Sequence, residues 1–394
     1  TITQASGVTV TVGTTGWTQA AGTFTGSNAA ITNAGVFALS GGTFTAPSST
    51  VSVDGAYTVS GTGTFTAGTS TLQFTGAGTR TITPGTGTYK HVTFPSLPVC
   101  ATYNLGGATL KVGGTLTLST SVWCNGWGQP VDNGTIQAFG DVLASGVGVT
   151  GTAAVVVAGN ASGQTITGVA GATIPNLQIA AGANNVTLSG TIDVRDAYTV
   201  TSVGTFTLTG STLRFMGTGV NTITPGTYTY NNVVFPSGMA ACNSWTLGGG
   251  TLNVGGTLTV GGSSWCSGTG RPIDNGTVKA YGPVDLSQAF NAGTAVILVA
   301  GNSGGQTITG GATSEVSKLN FDTGSYAATL SGAVKATTSS NVATGSVSLA
   351  NGSSSFNTLA LTLNGRTFTK NGGALTVNSV LAGTGSLFGG TVAP

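Results

Sequence analysis

Charged residues are scarce in this sequence. Only 5% of the 394 residues are Asp, Glu, Lys or Arg, whereas roughly 25% is usual in a soluble domain. The 11 basic and 9 acidic residues leave a formal net charge of +2. A protein that binds nucleic acid or anionic lipid electrostatically needs a strong basic patch. The composition excludes that kind of patch, and we expect no nucleic acid among the partners.

Good helix-forming residues are also scarce. Glu occurs once, at Glu315, and Lys and Arg together number 11, although long helices usually rely on Glu, Lys, Arg, Leu and Ala. Hydrophobic residues make up 39% of the chain, and its Val, Ile, Leu and Phe residues alternate with Thr and Ser. This alternation is typical of β-strands and not of a disordered chain. The sequence therefore predicts an all-β protein.

No apolar run is long enough to cross a bilayer. A spanning helix needs about 18 apolar residues, and the longest runs here are Ala153–Ala158 and Ala295–Ala300. The opening stretch, TITQASGVTVTV, has neither the basic n-region nor the apolar h-region of a signal peptide. We expect no membrane span. We also expect that a signal peptide has been removed or that the sequence is a piece of a longer protein.

Residues suited to catalysis are few and scattered. His91 is the only histidine, and nucleophilic triads need a base beside the nucleophile. Among the nine acidic residues only Asp193 and Asp196 are close in sequence, whereas glycoside hydrolysis needs two apposed carboxylates. No Cys-x-x-Cys motif or nearby histidine supplies a metal site. The sequence therefore predicts a protein that is not an enzyme and has no cofactor or metal.

A long repeat dominates the chain. TITPGTGTYKHVTFPS begins at Thr81 and TITPGTYTYNNVVFPS begins at Thr222, which gives an offset of 222 − 81 = 141. TLKVGGTLTL, DNGT, QTITG and TLSG recur, unchanged or nearly so, at that offset or at one position more. The histidine is not kept, because Lys90-His91 becomes Asn231-Asn232. We interpret the repeat as a duplication. Because the histidine is not kept, we expect its position to face outward on a scaffold and to tolerate either residue.

A shorter repeat lies within the long one. GTFT recurs and places Phe24, Phe44 and Phe65 at intervals of 20 (44 − 24) and 21 (65 − 44). One such period holds two or three short strands, about one coil of a β-solenoid. The three phenylalanines are then expected to form one inward ladder, in a body of roughly twenty coils. The predicted fold class is an all-β, parallel β-helix-like solenoid with two disulfide-closed loop insertions.

Two other architectures remain open at this point. A chain of β-sandwich domains also has short alternating strands, although a period of about 20 residues is too short for a repeating sandwich. A mixed body would combine a solenoid segment with sandwich-like insertions around the cysteines. For the solenoid, we expect N-terminal coils in residues 1–50, the first repeat unit in 51–190, its duplicate in 191–332 and C-terminal coils in 333–394.

Four cysteines form two pairs with equal spacing. The interval from Cys100 to Cys124 is 124 − 100 = 24, and the interval from Cys242 to Cys266 is 266 − 242 = 24. Four cysteines allow three pairings, and each duplicated unit is expected to close on itself, which favours Cys100–Cys124 and Cys242–Cys266. Each disulfide would contribute about 3 kcal/mol in the chain-entropy model. Such bonds are typical of an oxidising, extracellular setting.

Aromatic residues accompany the cysteines. Trp123 and Trp265 precede the second cysteine of each pair, Trp127 follows in the first unit only, and Tyr103 corresponds to Trp245. If these five side chains are exposed, they form a possible contact for sugar rings or for another protein. If they pack over the disulfides, they are the small core of each loop. Both interpretations remain open.

The only acidic motif kept in both units is Asp-Asn-Gly. It occurs at Asp132–Gly134 and at Asp274–Gly276. Asn and Gly tolerate positive φ, so the motif predicts a turn. A calcium site needs several carboxylates, and one per unit is too few.

Thr-x-Thr triplets are a further recurring pattern. They occur at Thr9–Thr11, Thr81–Thr83, Thr115–Thr117 and Thr257–Thr259. An ice-binding solenoid presents such a triplet on the same face in coil after coil. Because the spacing of these triplets drifts, the sequence gives little support to an ice-binding array.

One segment carries a family resemblance. FTAGTSTLQFTGAGTRTITPGTGTYKHVTF, followed by LGGATLKVGGTLTL, resembles the repeats of secreted bacterial surface proteins, namely the haemagglutinin-like and autotransporter-adhesin passenger β-solenoids. Residues Gly63–Leu118 and Gly204–Val260 follow the order of that repeat. The resemblance implies an exported fibre, an adhesin stalk or a cell-surface layer, and it supplies no catalytic residues. The cysteine loops are not part of the usual repeat.

Both ends of the sequence are strand-like and lack a polar cap. A solenoid exposes strand edges at its ends, and identical chains that pair end to end form an open, heterologous filament. We therefore expect a non-catalytic, secreted cell-surface protein that assembles head to tail into a filament, fibre or sheath. The alternative is an adhesin stalk whose Trp/Cys loops bind a surface glycan or a host protein.

Overall fold

The secondary structure consists of β-strands. The computed structural model describes residues 1–119, 131–145, 151–217, 219–237, 243–262, 273–290, 293–301, 305–312 and 314–388, and no helix occurs in these ranges. The chain divides into two compact units. The first comprises Thr1–Arg195 and Val200–Thr207, and the second comprises Asp196–Thr199 and Leu208–Pro394.

The first unit contains short strands joined by Gly-rich turns. They are β1 (Ile2–Thr3), β2 (Val10–Val12), β3 (Trp17–Gln19), β4 (Thr23–Thr25), β5 (Ile31–Asn33), β6 (Phe37–Leu39), β7 (Thr43–Thr45), β8 (Thr50–Val53), β9 (Tyr57–Val59), β10 (Thr64–Thr66), β11 (Thr71–Phe74), β12 (Gly78–Thr83), β13 (Thr88–Tyr89), β14 (His91–Phe94), β15 (Ala101–Asn104), β16 (Thr109–Val112), β17 (Leu116–Ser119), β18 (Val131–Asp132), β19 (Thr135–Ala138), β20 (Val142–Ser145), β21 (Ala154–Val157), β22 (Gln164–Gly168), β23 (Thr173–Ala180), β24 (Val186–Ser202) and β25 (Phe206–Thr207). Within β24, Asp196–Thr199 belong to the second unit.

The second unit continues with short strands and then with longer ones. They are β26 (Thr212–Phe215), β27 (Gly219–Thr224), β28 (Thr229–Tyr230), β29 (Asn232–Phe235), β30 (Asn243–Thr246), β31 (Thr251–Val254), β32 (Leu258–Val260), β33 (Ile273–Asp274), β34 (Thr277–Ala280), β35 (Val284–Asp285), β36 (Val296–Ala300), β37 (Gln306–Thr309), β38 (Glu315–Ser331), β39 (Ala333–Leu349), β40 (Ser355–Thr362), β41 (Arg366–Thr369), β42 (Ala374–Ala382) and β43 (Gly385–Phe388).

Parallel pairing between successive coils defines the architecture. In the first unit the strands form three columns, which begin β1-β4-β7-β10, β2-β5-β8-β11 and β3-β6-β9-β12. The chain thus passes through three strands and returns to the first column one coil further on. The second unit has the same arrangement, for example in β26-β29-β32-β35-β37. The prediction of a parallel β-solenoid is confirmed. A chain of antiparallel sandwiches is wrong, because all strand pairs identified in the described residues are parallel.

The register between neighbouring coils sets the coil length. Phe24 faces Phe44, so the interval there is 44 − 24 = 20. Leu110 faces Ile136, so the interval there is 136 − 110 = 26. The interval varies along the chain, since Ile136 faces Val155 at an interval of 155 − 136 = 19, and the described residues form about 16 turns. The sequence-based expectation of roughly twenty coils was too high because it took the interval between the phenylalanines as constant.

An aromatic ladder fills the core of the first coils. Phe24, Phe44 and Phe65 are buried, and their rings stack with centroid distances of 4.8 Å and 5.4 Å. The expected inward phenylalanine ladder is confirmed. It arises because successive coils repeat at about the 4.8 Å spacing of paired strands, which is also a favourable distance for offset ring stacking.

The duplication is visible in the cores of both units. Tyr89 donates a hydrogen bond to the Pro84 carbonyl at 2.7 Å, and Tyr230 donates to the Pro225 carbonyl at 2.7 Å. The strands follow the same order, since β11 begins at Thr71 and β26 at 71 + 141 = 212. The repeated TITPG segment is therefore a strand and a Pro-Gly corner whose first carbonyl binds a buried tyrosine in each unit.

Some corners require glycine. Gly42 has a φ of 73°, which L-residues with a side chain rarely adopt. A Cβ atom added there would also collide with the backbone of Gly22 in the preceding coil. Glycine at this corner therefore allows the coils to approach at the spacing of paired strands, which explains the glycine of the GTFT motif.

Candidate functional site

The first coil has an open edge. Strands β1, β2 and β3 pair with β4, β5 and β6 of the second coil. Within the described residues, no strand pairs with the opposite edge of these three strands. An exposed strand edge of this kind can pair with a further strand. We call this unpaired edge of β1–β3 the first-coil edge.

The aromatic ladder ends at this edge. Ile2 of β1 pairs with Phe24 of β4, so it occupies the position next to the end of the phenylalanine ladder. The Ile2 residue is 65% exposed. The Trp17 ring closes the ladder from the side, with edge-on contacts to Phe24 at 4.7 Å and to Phe44 at 5.2 Å between centroids. A surface cavity of about 250 Å³ lies between Ile2, Trp17 and Phe24. The first-coil edge thus presents an apolar, concave end.

Buried polar atoms lie at the same edge without hydrogen-bond partners among the described residues. They are the Trp17 Nε1 and the Gln19 Oε1 atoms. The amide nitrogen of Gln19 is satisfied, since it donates to the Gly22 and Thr43 carbonyls at 3.1 Å and 3.0 Å. An unsatisfied buried polar atom costs about 1–3 kcal/mol. Both atoms belong to β3, so the two unsatisfied polar atoms destabilise the structure at the first-coil edge.

The first coil is nevertheless firmly attached to the second. The Gln4 side chain donates to the Val8 carbonyl at 2.7 Å and to the Ala29 carbonyl at 3.0 Å. Its Oε1 atom accepts a hydrogen bond from the Ser27 amide at 2.9 Å. Gln4 is buried. The open edge is therefore held in place by its own side-chain network.

Charge does not protect the first-coil edge. Soluble proteins block exposed strand edges with Lys, Pro, bulges or inward-pointing charges. Residues 1–53 contain no Asp, Glu, Lys, Arg or His. Residues 371–394, which include β42 and β43, contain none either. Electrostatic repulsion between side chains therefore does not oppose pairing at these segments.

A second open edge lies in the last coil. β42 pairs with β40, and β43 pairs with β41, both in parallel. Within the described residues, no strand pairs with the other edge of β42 or β43. Leu381 of β42 is 47% exposed. Like the first-coil edge, this edge is formed by strands that pair in parallel with their neighbours.

Two of the predicted contact residues lie in the core. Tyr103 is 1% exposed, and its hydroxyl donates to the Phe74 and Gly76 carbonyls at 2.7 Å and 3.0 Å. Burial raises the pKa of Tyr103 well above its usual range. Trp245 is fully buried, and its ring centroid lies 4.8 Å from that of Phe215. Buried side chains cannot contact an external ligand, so the possible contact role is wrong for these two residues.

The remaining cysteine-loop residues lie mostly outside the described residues. Trp123, Trp127 and Trp265 fall there, and so do three of the four cysteines, at positions 124, 242 and 266. Cys100 is described, and no cysteine in the described part of the chain is a free thiol. The contact role of the three tryptophans and the two disulfide pairings stay predictions.

The Asp-Asn-Gly motifs form turns, as predicted. The asparagine of each motif has a φ of 51°. The Asp132 carboxylate accepts hydrogen bonds from the amide and hydroxyl of Thr152 at 2.8 Å and 3.2 Å. Asp274 accepts the same two bonds from Thr294 at 3.0 Å and 2.8 Å. Each carboxylate therefore joins one coil to the next, which explains its presence in both units.

The exchange of His91 for Asn232 preserves one hydrogen bond. The His91 Nδ1 atom accepts a hydrogen bond from the Thr115 amide at 2.9 Å. The Asn232 Oδ1 atom accepts one from the Thr257 amide, also at 2.9 Å. Both bonds join neighbouring coils. Either residue therefore supplies a hydrogen-bond acceptor to the backbone amide of the next coil.

The acidic residues do not assemble into a metal site in the described part of the chain. In those ranges no group of three or more His, Cys, Asp or Glu side chains has the arrangement needed to hold a metal ion. Asp193 is fully buried, and its carboxylate accepts a hydrogen bond from the Gly171 amide at 2.7 Å. Asp193 therefore has a structural role in the coil. The described ranges also contain no helix with the length and apolar character needed to cross a membrane.

Sequence reasoning did not single out Gln4, Trp17 and Gln19. A signal was present, because the two glutamines are the only ones before residue 73 and Trp17 is the only tryptophan before residue 123. Large polar and aromatic residues are unusual in a Thr- and Gly-rich segment. Their role depends on their place in the outermost coil, which only the register shows.

Comparison with known proteins adds no further information about this site. The chain matches no protein-family model, no curated protein and no solved structure. Its function is therefore inferred from the chemistry and geometry of the described residues.

Proposed function

We propose that this protein is a non-catalytic structural subunit that assembles head to tail into a filament, fibre or sheath on a cell surface. The observation that carries the proposal is the first-coil edge. It is apolar, lacks charged side chains and offers three adjacent parallel strands for pairing. Edges of this kind pair readily with another chain.

The occupant of the first-coil edge is the last coil of a second copy. A solenoid coil continues with parallel strands, and β42 and β43 present parallel strands with open edges. The contact joins two different surfaces of identical chains. Heterologous contacts of this kind do not close, so they extend into filaments.

Disulfides are part of the proposal. Cys100–Cys124 and Cys242–Cys266 would each close one loop, in an extracellular location. The absence of a free thiol among the described cysteines is consistent with a disulfide at Cys100. The adhesin alternative has less support, because Tyr103 and Trp245 are buried and only three of its five contact residues remain.

The test replaces a residue at the first-coil edge. Ile2→Lys places a charge over the end of the phenylalanine ladder, where the next coil would bury it without a partner at a large energetic cost. Since Ile2 is 65% exposed, the change should not impair the fold of the monomer. Negative-stain electron microscopy and analytical ultracentrifugation should show filaments for the wild type and monomers for Ile2→Lys.

The control adds the same charge one coil further from the edge. Thr32 is exposed and occupies the middle of β5, a strand that is already paired on both edges. Thr32→Lys places its charge on the lateral surface and should leave filaments intact. Wild-type protein that stays monomeric at high concentration would refute the proposal. Filaments that form equally well with Ile2→Lys would also refute it.

A further inference from the structure

The sheet of β1, β4, β7 and β10 carries a regular array of threonines. We call it the TFT sheet, because three of its strands have the sequence Thr-Phe-Thr with the phenylalanine inward. The threonines on either side of each phenylalanine point outward and align from coil to coil. The two aligned rows are Thr23, Thr43 and Thr64, and Thr3, Thr25, Thr45 and Thr66.

The phenylalanine ladder keeps this sheet regular. Phe24 and Phe44 stack with an interplanar angle of 20°, and Phe44 and Phe65 with an angle of 15°. Their centroids are separated by about one strand spacing. The rings therefore return to the same place in each coil. The parallel register keeps the outer threonines paired with one another from coil to coil.

The array has the dimensions of a lattice. Neighbouring strands are about 4.8 Å apart, and alternate residues on one strand are about 6.6 Å apart, at roughly 3.3 Å per residue. The threonine hydroxyls therefore form a two-dimensional grid with these two spacings. Water oxygens on a prism face of ice repeat at similar distances in two perpendicular directions.

The hydroxyls of the grid are free to bind water. Within the described residues, none of the six threonines of the three TFT strands forms a side-chain hydrogen bond. Asp54 is the only charged residue among residues 1–66, and it lies outside the four strands of the TFT sheet. The methyl group of each threonine leaves the surface only moderately hydrated. Such a surface can order a plane of water without strongly hydrated charges that would disrupt it.

Other outward faces lack this regularity. In the column of β2, the Ser52 hydroxyl donates to the Gln73 Oε1 atom at 3.4 Å. In the column of β3, Ala38 separates Thr18 from Thr58. The TFT sheet is therefore the most regular hydroxyl surface of the first unit.

The triplets noted in the sequence do not form such an array. Thr117 faces Leu143, and Thr259 faces Asp285, so these two triplets are interrupted at the next coil. The triplet at 81–83 is split, because the two ends of β12 pair with different strands. The aligned threonines are instead those of GTFT.

We propose that the TFT sheet binds ice through its two rows of threonines. The ligand is a plane of lattice-ordered water, held by aligned hydroxyls and by the methyl groups between them. The site is independent of the first-coil edge, since it lies on the lateral surface of the coils. Ice binding and filament formation can therefore be tested separately.

The test introduces a bulky side chain at the centre of the grid. The full-length protein should shape ice crystals in a nanolitre osmometer and inhibit ice recrystallisation. Thr45→Tyr places a ring above the grid and should abolish both activities, because it prevents contact between the plane and the neighbouring threonines. Thr45→Val, which keeps the shape and removes one hydroxyl, should weaken them.

The matched control lies in the same coil. Thr58 is a half-buried, outward threonine next to an inward aromatic residue, as Thr45 is. Thr58→Tyr should retain ice shaping and recrystallisation inhibition, and circular dichroism should show that both variants keep the wild-type fold. Wild-type protein without either activity would overturn the proposal. Equal activity of Thr45→Tyr and the wild type, or equal loss with Thr58→Tyr, would overturn it as well.

Discussion

The hydrogen bond between the Thr115 amide and His91 tests why the two repeat units differ at this position. Thr115 is half-buried, and its amide donates to the His91 Nδ1 atom at 2.9 Å. Removing the acceptor leaves a partly buried donor, which costs about 1 kcal/mol. A free energy of about 1 kcal/mol corresponds to about a fivefold change in an equilibrium constant. We therefore expect His91→Ala to accelerate hydrogen exchange of the Thr115 amide about fivefold.

The second repeat supplies the matched control. His91→Asn restores an acceptor of the type that Asn232 provides in the second unit. We expect this variant to exchange at nearly the wild-type rate, whereas Asn232→Ala should accelerate exchange at Thr257 by a similar factor. Hydrogen exchange is the suitable assay because repeat proteins open locally and need not unfold in one step.

The same bond predicts a dependence on pH. Burial, followed by the nearby charge of Lys90, lowers the pKa of His91 from its ordinary value of 6.5. The folded state therefore favours the neutral imidazole, whose Nδ1 atom is an acceptor. Since the folded-state pKa is the lower one, this stabilisation is fully present above pH 6.5 and is lost as the pH falls below it. His91→Asn should remove this dependence, and Asn232→His should introduce it in the second unit.

Two results would contradict this reasoning. If His91→Ala and His91→Asn accelerate exchange at Thr115 equally, the acceptor is not what stabilises the amide. If exchange at Thr115, corrected for its intrinsic rate, has the same pH profile in the wild type and in His91→Asn, protonation of the imidazole does not affect the bond.

Three further predictions concern the core and the corners. Gly42→Ala should destabilise the first coils by more than about 1 kcal/mol, because φ is positive there and the added Cβ meets the backbone of Gly22; thermal unfolding of the variant measures this. Tyr103→Phe should lower local stability by about 1 kcal/mol, because two buried carbonyls lose their donor; faster hydrogen exchange in β11 and β15 would show it, and unchanged exchange would contradict it. Burial raises the pKa of five tyrosines above 10.0, so stability should be complete below about pH 10 and fall above it as the unfolded chain ionises first. Melting temperatures measured from about pH 8 to about pH 12 check the last prediction, which a flat profile would refute.

Much of the fold follows from local sequence pattern. The intervals between Phe24, Phe44 and Phe65 predicted the inward ladder, because a side chain that recurs once per coil returns to the same place in the core. The Asp-Asn-Gly motifs predicted turns for a similarly local reason, since positive φ is a property of single residues.

The sites depended on information that is not local. Tyr103 and Trp245 stand beside loop cysteines in the sequence, yet both side chains point into the core. Thr45 and Thr117 are each flanked by apolar residues, yet only Thr45 has threonine neighbours in both adjacent coils. The difference is set by turn lengths, which determine which residues meet across coils.

Alternation and repetition along the chain were enough to predict an all-β, duplicated protein with a period near one solenoid coil. The three-dimensional structure was needed to show which threonines align, which strand edges are unpaired within the described residues, and why histidine and asparagine can replace each other at one position. Each of these depends on the register between positions on successive coils, such as Phe24 with Phe44 and Leu110 with Ile136. A shift of one residue in that register would turn every outward side chain of a strand inward.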